Sequence, residues 1–386
     1  MDKVFSRQAL YDLVWSEPVK TIAQRFGMSD VAFKKYCVRA GVPVPERGYW
    51  AKLAAGKPVT RFPLPTRDPG ANDDVRIGPI EYGKFDAEAE LAKPPPEPPV
   101  FAEHLDAVRS RVERRLGKVK AVRDLTSPCA GLRRLLQDDA KRAARQQASA
   151  YSFSWDSPQF DSGFEKRRLR VLNSLGLGLA KVQVRLDARG RTGRDVIAAV
   201  GDTTIKLQLD HPSAKANQHG EWKVREGPAA DLRLLVGPVR ERAEGYRAVW
   251  EDDADGKLED KITSIALEIV VAGEAEYRAG LLRGHVWAIE RRTELAREVE
   301  KHRIEAERQA RERRAAAIKA RREHLFGQAK DWRTAQDIRG FVAAVLAQSA
   351  KTPDELAAWA DWALLEADAL DPVTAGNLSL PDLSDM

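Results

Sequence analysis

Cysteine, clustered histidine and long apolar runs are what this chain of 386 residues lacks. Its two cysteines, Cys37 and Cys129, are too few for a disulfide framework or a cysteine-held metal cluster. The six histidines are scattered, and none forms an HxxxH or HxxE pair with a convincing partner. No basic-then-apolar leader opens the chain, and no apolar run approaches the roughly 18 residues a membrane-spanning helix needs. A soluble, cytoplasmic protein without a membrane partner is expected. No Gly-x-x-x-x-Gly-Lys-Ser/Thr phosphate loop is present, and no residue pattern calls for a cofactor.

Charge is plentiful but uneven. Charged residues make up 32% of the chain against 43% apolar, and the net charge is +6. Residues 1–60 carry 10 Lys and Arg against 5 Asp and Glu, and residues 101–150 carry 12 against 6. From residue 351 onward one Lys faces 8 acidic residues. A basic body with an acidic tail suits a protein that meets phosphates and limits its own non-specific adhesion; charge varying along solvated helical surfaces would look the same. The length allows two or three domains with real cores.

The most informative stretch is residues 19–38, VKTIAQRFGMSDVAFKKYCV. Ile22, Ala23 and Phe26 fall on one face of a helix that Pro18 opens. Gly27 stands where a helix ends in a left-handed conformation, which glycine adopts cheaply. Met28 plugs the turn, Ser29 is placed to cap the next helix, and Phe33 and Tyr36 face back onto the first. An earlier helix from Ser6 to Trp15, with Leu10, Leu13 and Val14 on its apolar side, completes a three-helix unit ending near Gly41. Ser29, Asp30, Val31, Lys34 and Lys35 are left on the open side.

This pattern resembles the helix-turn-helix family of DNA-binding proteins. The resemblance implies that the open side of the second helix enters the DNA major groove. Ser29, Asp30, Val31, Lys34 and Lys35 would then meet base edges or nearby phosphates, and Arg25, Arg39, Arg47, Lys52 and Lys57 would neutralise phosphates. The stretch from Phe5 to Lys57 also resembles the start of a group of bacterial proteins, a similarity that carries no activity with it.

Beyond Gly41, Pro43 and Pro45 enforce an extended path into a basic and aromatic cluster, Arg47 to Lys57. It reads either as an arm along phosphates, with Arg47 entering a minor groove, or as a strap whose Tyr49 and Trp50 cover the back of the three helices. Residues 58–99 hold 10 of the 21 prolines and read as a tether. An amphipathic helix is expected over 101–125, serving as core, dimer contact or second phosphate-facing surface, and a further helix near 130–148. A helix from Phe164 to Leu175, ended by Gly176 and Gly178, precedes strand-like runs at 181–187, 195–200, 203–209, 231–236 and 246–250. Gly201-Asp202 between two of these is a hairpin signal.

The segment 274–327, rich in Glu, Arg and Ala and free of Pro, reads as one long helix or two. Without a strict heptad it suggests a weak dimer stalk or an arm packed on the body. Thr352-Pro353-Asp354-Glu355 marks a last helix start, with Leu356, Trp359, Trp362 and Leu365 on its apolar face.

The expected fold is therefore mixed and mainly α with a central α+β domain. Its segments are a head with its extension (1–57), a Pro-rich linker (58–100), amphipathic helices (101–148), the α+β domain (149–273), a long charged helix (274–330), C-terminal helices (331–372) and a disordered acidic tail (373–386).

Three signals point toward chemistry. Gly176-Leu177-Gly178 would need a strand before it and a helix after it to hold a dinucleotide, and its order is reversed. Glu251 to Gly256 resembles half a calcium loop, but the closing ligand position falls on Ile262, so an acidic turn capping a helix fits better. Glu259-Asp260-Lys261 matches the ExK of metal-dependent nucleases, which place it on a strand; here it opens a helix.

The expected function is that of a non-enzymatic DNA-binding protein, a regulator or a DNA-targeting component of a bacterial mobile-element or defence locus, associated with the nucleoid. It would bind double-stranded DNA as a homodimer through 101–148 or 274–327. The rival is an interaction scaffold whose α+β body and long helix bind other proteins, with the head only targeting the assembly.

Overall fold

The computed structural model describes residues 4–78, 85–148, 156–216, 222–223, 231–238, 241–348 and 353–376. Thr352 of the expected last helix start, residues 79–84 of the expected linker and 377–386 of the expected tail lie outside them. The chain forms two compact units, Met1–Phe85 with Pro95–Glu290, and Asp86–Pro94 with Arg291–Met386. The fold is mixed, with ten helices and three antiparallel sheets among the described residues. None of these helices is long and apolar enough to cross a membrane.

The body of the first unit is built on a five-stranded antiparallel sheet. Its strands are β3 (Arg185–Arg189), β4 (Asp195–Val200), β5 (Thr203–Asp210), β8 (Arg233–Val236) and β9 (Val249–Glu251), in that spatial order. A short separate hairpin pairs β6 (Lys215–Ala216) with β7 (Trp222–Lys223). Successive side chains of a strand point to opposite faces, so the buried set alternates: Val196, Ala198 and Val200, then Ile205, Leu207 and Leu209. Val200 pairs with Thr203, which leaves Gly201-Asp202 as the two-residue turn. Against this face pack α6 (Leu105–Leu116), α7 (Ala130–Ala148), α8 (Gly163–Ala180) and the first turns of α9 (Ile262–Gln348).

Several boundaries differ from the periodicity. The expected helix over 101–125 stops at Leu116, where Gly117 caps it. Tertiary bonds then capture the chain: the Val119 N–H donates to Thr263 Oγ1 at 3.0 Å and the Val122 N–H to Ser174 Oγ at 2.9 Å. Val108, Val112 and Leu116 are buried in the body core, as are Leu132 and Leu135 of α7, so the apolar stripes of 101–148 serve the core. Helix α8 runs through Gly176 and Gly178 instead of ending there. A Cβ on Gly176 would lie 2.5 Å from Cys129 Sγ, and one on Gly178 2.6 Å from Val119, so these glycines admit close packing, not termination. The strand expected from Lys181 consequently begins only at Arg185.

Two buried ion networks lock α8 to its neighbours. Arg168, fully buried, donates to Glu165 and to the carbonyls of Thr192 and Gly193, while Arg194 bridges Glu165 and Asp210 at 2.6 Å each. Arg167 forks onto both Asp252 and Glu259. No buried side-chain polar atom among the described residues is left without a partner, which is what makes charges tolerable in an apolar layer.

Helix α9 is one uninterrupted element of 87 residues, so the break expected near 330 is absent. It lacks proline throughout, and nothing else in it forces a stop before Gln348. In the second unit its last turns pair with α10 (Pro353–Leu370) around Val342, Ala360 and Ala363, and Arg339 clamps Asp368 and Asp371 at 2.6 Å each. Also in this unit, α5 (Ala87–Ala92) has its terminal carbonyls satisfied by Arg292, which donates to Leu91 O and Lys93 O.

The expected tether is in part a docked joint. Strand β2 (Asp74–Arg76) pairs antiparallel with β1 (Val4–Ser6), and the segment before it is fixed to the body. Glu274 of α9 has no exposed surface; its carboxylate accepts from Arg67 at 2.5 Å, Arg278 at 2.7 Å and the Gly70 N–H at 2.9 Å. Gly70 O in turn accepts from the Asp202 N–H and Thr203 Oγ1 of the β4–β5 turn. A Cβ on Gly70 would lie 2.3 Å from Val200 O, so only glycine lets the two backbones approach this closely.

Burial of Glu274 raises its proton affinity, but the two guanidinium groups and the Gly70 N–H outweigh burial and hold the carboxyl below its ordinary 4.5. A lowered carboxyl pKa stabilises the fold above the unfolded value, and that contribution is lost as pH falls through the folded value. Glu274→Gln is therefore expected to lower unfolding stability by about 3 kcal/mol at neutral pH. The difference from the parent protein should shrink in urea titrations run below pH 4.5. A pH-independent difference would show that the charge plays no part.

Candidate nucleic-acid interface

The head is built from β1, α1 (Arg7–Ser16), α2 (Val19–Arg25), α3 (Asp30–Arg39) and β2. Ser6 caps α1 by accepting from the Ala9 N–H, and Ser29 caps α3 by accepting from the Ala32 N–H, both at 3.1 Å. Helices α2 and α3 end in the same way. The Gly27 N–H bonds to Gln24 O and Met28 N–H to Ala23 O; the Gly41 N–H bonds to Val38 O and Val42 N–H to Cys37 O. Each is the paired closure that glycine in the left-handed region permits, with φ of 66° at Gly27 and 63° at Gly41.

The inner faces make one apolar core. Leu10, Val14, Ile22, Phe33 and Cys37 are fully buried, and Phe26 stacks on Phe33. Burial pushes the Cys37 thiol up to about 12, so it is a packed side chain and not a nucleophile.

The outer face of α3 carries Ser29, Asp30, Val31, Lys34, Lys35, Val38 and Arg39, all exposed. Val31, Lys34, Lys35 and Val38 stand at i, i+3, i+4 and i+7 and form one stripe. Two of them are apolar yet largely in solvent, Val31 at 59% and Val38 at 74%. Val38 is absent from the residues expected at the interface, although its spacing from Val31 and Lys34 could have shown it.

The other expected residues are distributed over separate elements. Arg25 ends α2 and pairs with Glu17. Arg39 lines a cleft of about 260 Å³ with Tyr36, Arg67, Arg76, Asp74 and Asp202. Arg47, Lys52 and Lys57 are exposed on the segment around α4 (Tyr49–Ala54). This segment straps onto α1: Trp15 Nε1 donates to Pro43 O, Tyr49 packs edge-on against Trp15 at 5.1 Å, and Tyr11 OH donates to Phe62 O. Arg61 covers the Tyr11 ring at 4.7 Å. The strap and α3 therefore present their basic residues from different elements.

Arg7 is the residue that sequence reasoning missed. It is buried and donates to Ala40 O at 2.6 Å, Gly41 O at 3.3 Å and Pro65 O at 3.1 Å. A cation thus closes the negative end of α3 and ties it to α1 and the strap. Its partners lie 33 to 58 residues away, and no local pattern encodes that.

The chemistry-bearing motifs are otherwise engaged. Asp252 accepts from Arg167 and from the Leu232 and Leu258 N–H groups. Lys261 donates to Glu251 O and pairs with Asp253, so the acid and the base of the ExK triplet are both held in structural ion pairs. Burial works against ionisation of Asp252 and Glu259, but Arg167 more than offsets it and keeps both carboxyls below their ordinary range. Among the described residues no group of three His, Cys, Asp or Glu could hold a metal ion.

No protein-family model, no curated protein and no solved structure matches the chain.

Ser29→Ala is expected to cost about 1 kcal/mol of stability through the lost cap. Gly27→Ala should cost about 1 kcal/mol or more through backbone strain alone, since no neighbouring atom lies within 4 Å of the added methyl. Thermal unfolding followed by circular dichroism reads both; an unchanged midpoint for Gly27→Ala would refute the left-handed turn.

Proposed function

We propose that the N-terminal head is a helix-turn-helix that binds duplex DNA with α3 in the major groove. The observation that carries this reading is the stripe Val31, Lys34, Lys35 and Val38, exposed on a helix whose opposite side is fixed by buried Phe33 and Cys37. Apolar side chains held in solvent between lysines suit a groove floor of base edges and thymine methyls flanked by phosphates. Ser29 and Asp30 stand at the helix start, where recognition helices meet bases. Arg25, Arg39, Arg47, Lys52 and Lys57 supply phosphate contacts that set position without reading sequence. The protein would act as a regulator or as the DNA-targeting component of a larger assembly.

One head buries too little surface for tight, specific binding, so a second copy is part of the proposal. Leu282, Val286 and Trp287 of α9 are exposed in the first unit and offer an apolar contact for it.

Lys34→Glu combined with Lys35→Glu is expected to abolish specific duplex binding in a gel shift while leaving the circular dichroism spectrum unchanged. Binding as tight as that of the parent protein would sink the role of α3. Leu282→Glu with Val286→Glu should convert a dimer to a monomer in light scattering, and a parent protein that is already monomeric would remove the second-copy part of the reading.

A further inference from the structure

Helix α9 changes character within its exposed stretch in the second unit. Over residues 300–312 its charges are internally balanced: Arg303 pairs with Glu300 and Glu307, and Arg308 with Glu305 and Glu312. This is a self-sufficient solvated helix surface. From 308 to 322, RQARERRAAAIKARR, seven basic residues stand against one acidic, and nearly all of this stretch is exposed. Among the described residues no ion pair joins Arg311, Arg313, Arg314, Arg321 or Arg322 to an acidic side chain; the pairs of this region involve Arg308 and Lys319. Like charges instead meet at i, i+3, Arg311 with Arg314 and Lys319 with Arg322, which destabilises a helix. Against that repulsion stand two long, exposed pairs, Arg308 with Glu312 at 3.7 Å and Lys319 with Glu323 at 3.9 Å.

The placement of these charges is also one-sided. At 3.6 residues per turn, Arg308, Arg311, Arg314, Lys319, Arg321 and Arg322 fall within an arc of about 160°. The seventh basic residue, Arg313, falls on the opposite side with Ala310, Ala316, Ala317 and Ala320. The arc extends over roughly 21 Å of helix axis. It contains one exposed apolar side chain larger than alanine, Ile318, and no aromatic. A protein interface needs an extended apolar centre, which Ile318 alone does not make, and a single-strand binder needs aromatic platforms, which 308–322 lacks. A slim helix with cations on both flanks does match the B-form major groove, which admits a helix between two phosphate rows, whereas the major groove of duplex RNA is too narrow.

We propose that residues 308–322 of α9 form a second duplex-DNA-binding surface that engages phosphates on both strands without reading sequence. It stands on its own observations and does not rest on the reading of the head.

The test uses the full chain and a random-sequence DNA duplex, with affinity followed by fluorescence anisotropy as salt is raised. The Lys34→Glu/Lys35→Glu protein should still bind this duplex in a salt-sensitive way. Adding Arg311→Gln, Arg314→Gln, Arg321→Gln and Arg322→Gln should weaken that binding at least about tenfold and reduce the log–log salt slope by roughly 3 to 4. Glutamine has nearly the helix propensity of arginine, and an unchanged circular dichroism spectrum shows that α9 persists. Equal affinity and slope with and without the four glutamines would overturn the proposal, as would tighter binding of polyglutamate or duplex RNA than of duplex DNA at the same salt. If binding is lost with the head lysines alone and the arginines intact, this surface is refuted and the head is not. If it is lost only with the arginines, this surface is supported and the head is not.

Discussion

The joint of the first unit depends on one buried carboxylate. Glu274 has no exposed surface, and a lone carboxylate in that position would cost several kcal/mol. It is tolerable because two arginines and a backbone N–H converge on it, one from its own helix and two from the segment 67–70. The ion site forms only when that segment arrives, and the segment is held only when the site forms. The close approach of Gly70 to Val200 then seats the joint against the β4–β5 turn. A stretch rich in proline is thereby converted from tether to anchor between the head and the body.

Within the head the same economy recurs. Both α2 and α3 end in a glycine-centred closure, and both α1 and α3 begin on a serine cap. These local devices define the helices, but they do not set one helix against another. Arg7 does part of that, spending its donors on the carbonyls at the end of α3 and on Pro65. The result is a helix with one face immobilised in an apolar core and the other left to solvent.

Helix α9 shows how one secondary structure can serve different physical ends. Its first turns are core, with Ile262, Ile265, Ala266 and Ile269 buried beneath the sheet. Further along, charge pairing replaces burial as the source of helix stability, and then pairing thins to Lys319 with Glu323 while the helix continues. The repulsion left over in the arginine stretch is a cost that an anionic partner removes. The last turns return to packing, against α10.

Much of this was legible in the residues. The turn at Gly27, the Ser29 cap, the buried sites at 22, 23 and 33, the Gly201-Asp202 hairpin and the alternating strands all follow from rules that act within a few residues. So does the exposed set on α3, because a helix fixes which side chains share a face. What the residues did not show was where distant segments meet. Gly176 and Gly178 read locally as terminators, but tertiary packing against Cys129 and Val119 makes them contact points inside a helix. The amphipathic stripe after Leu116 reads as more helix, but hydrogen bonds to Thr263 and Ser174 draw it out of helical geometry. By itself the sequence determined the caps, turns, strand faces and the outward residues of α3, because those depend on short-range sterics and hydrogen bonds. Only the tertiary structure decided the docking of 67–73, the role of Arg7 and the burial of Glu274, because each balances a desolvated charge with partners far away in the chain.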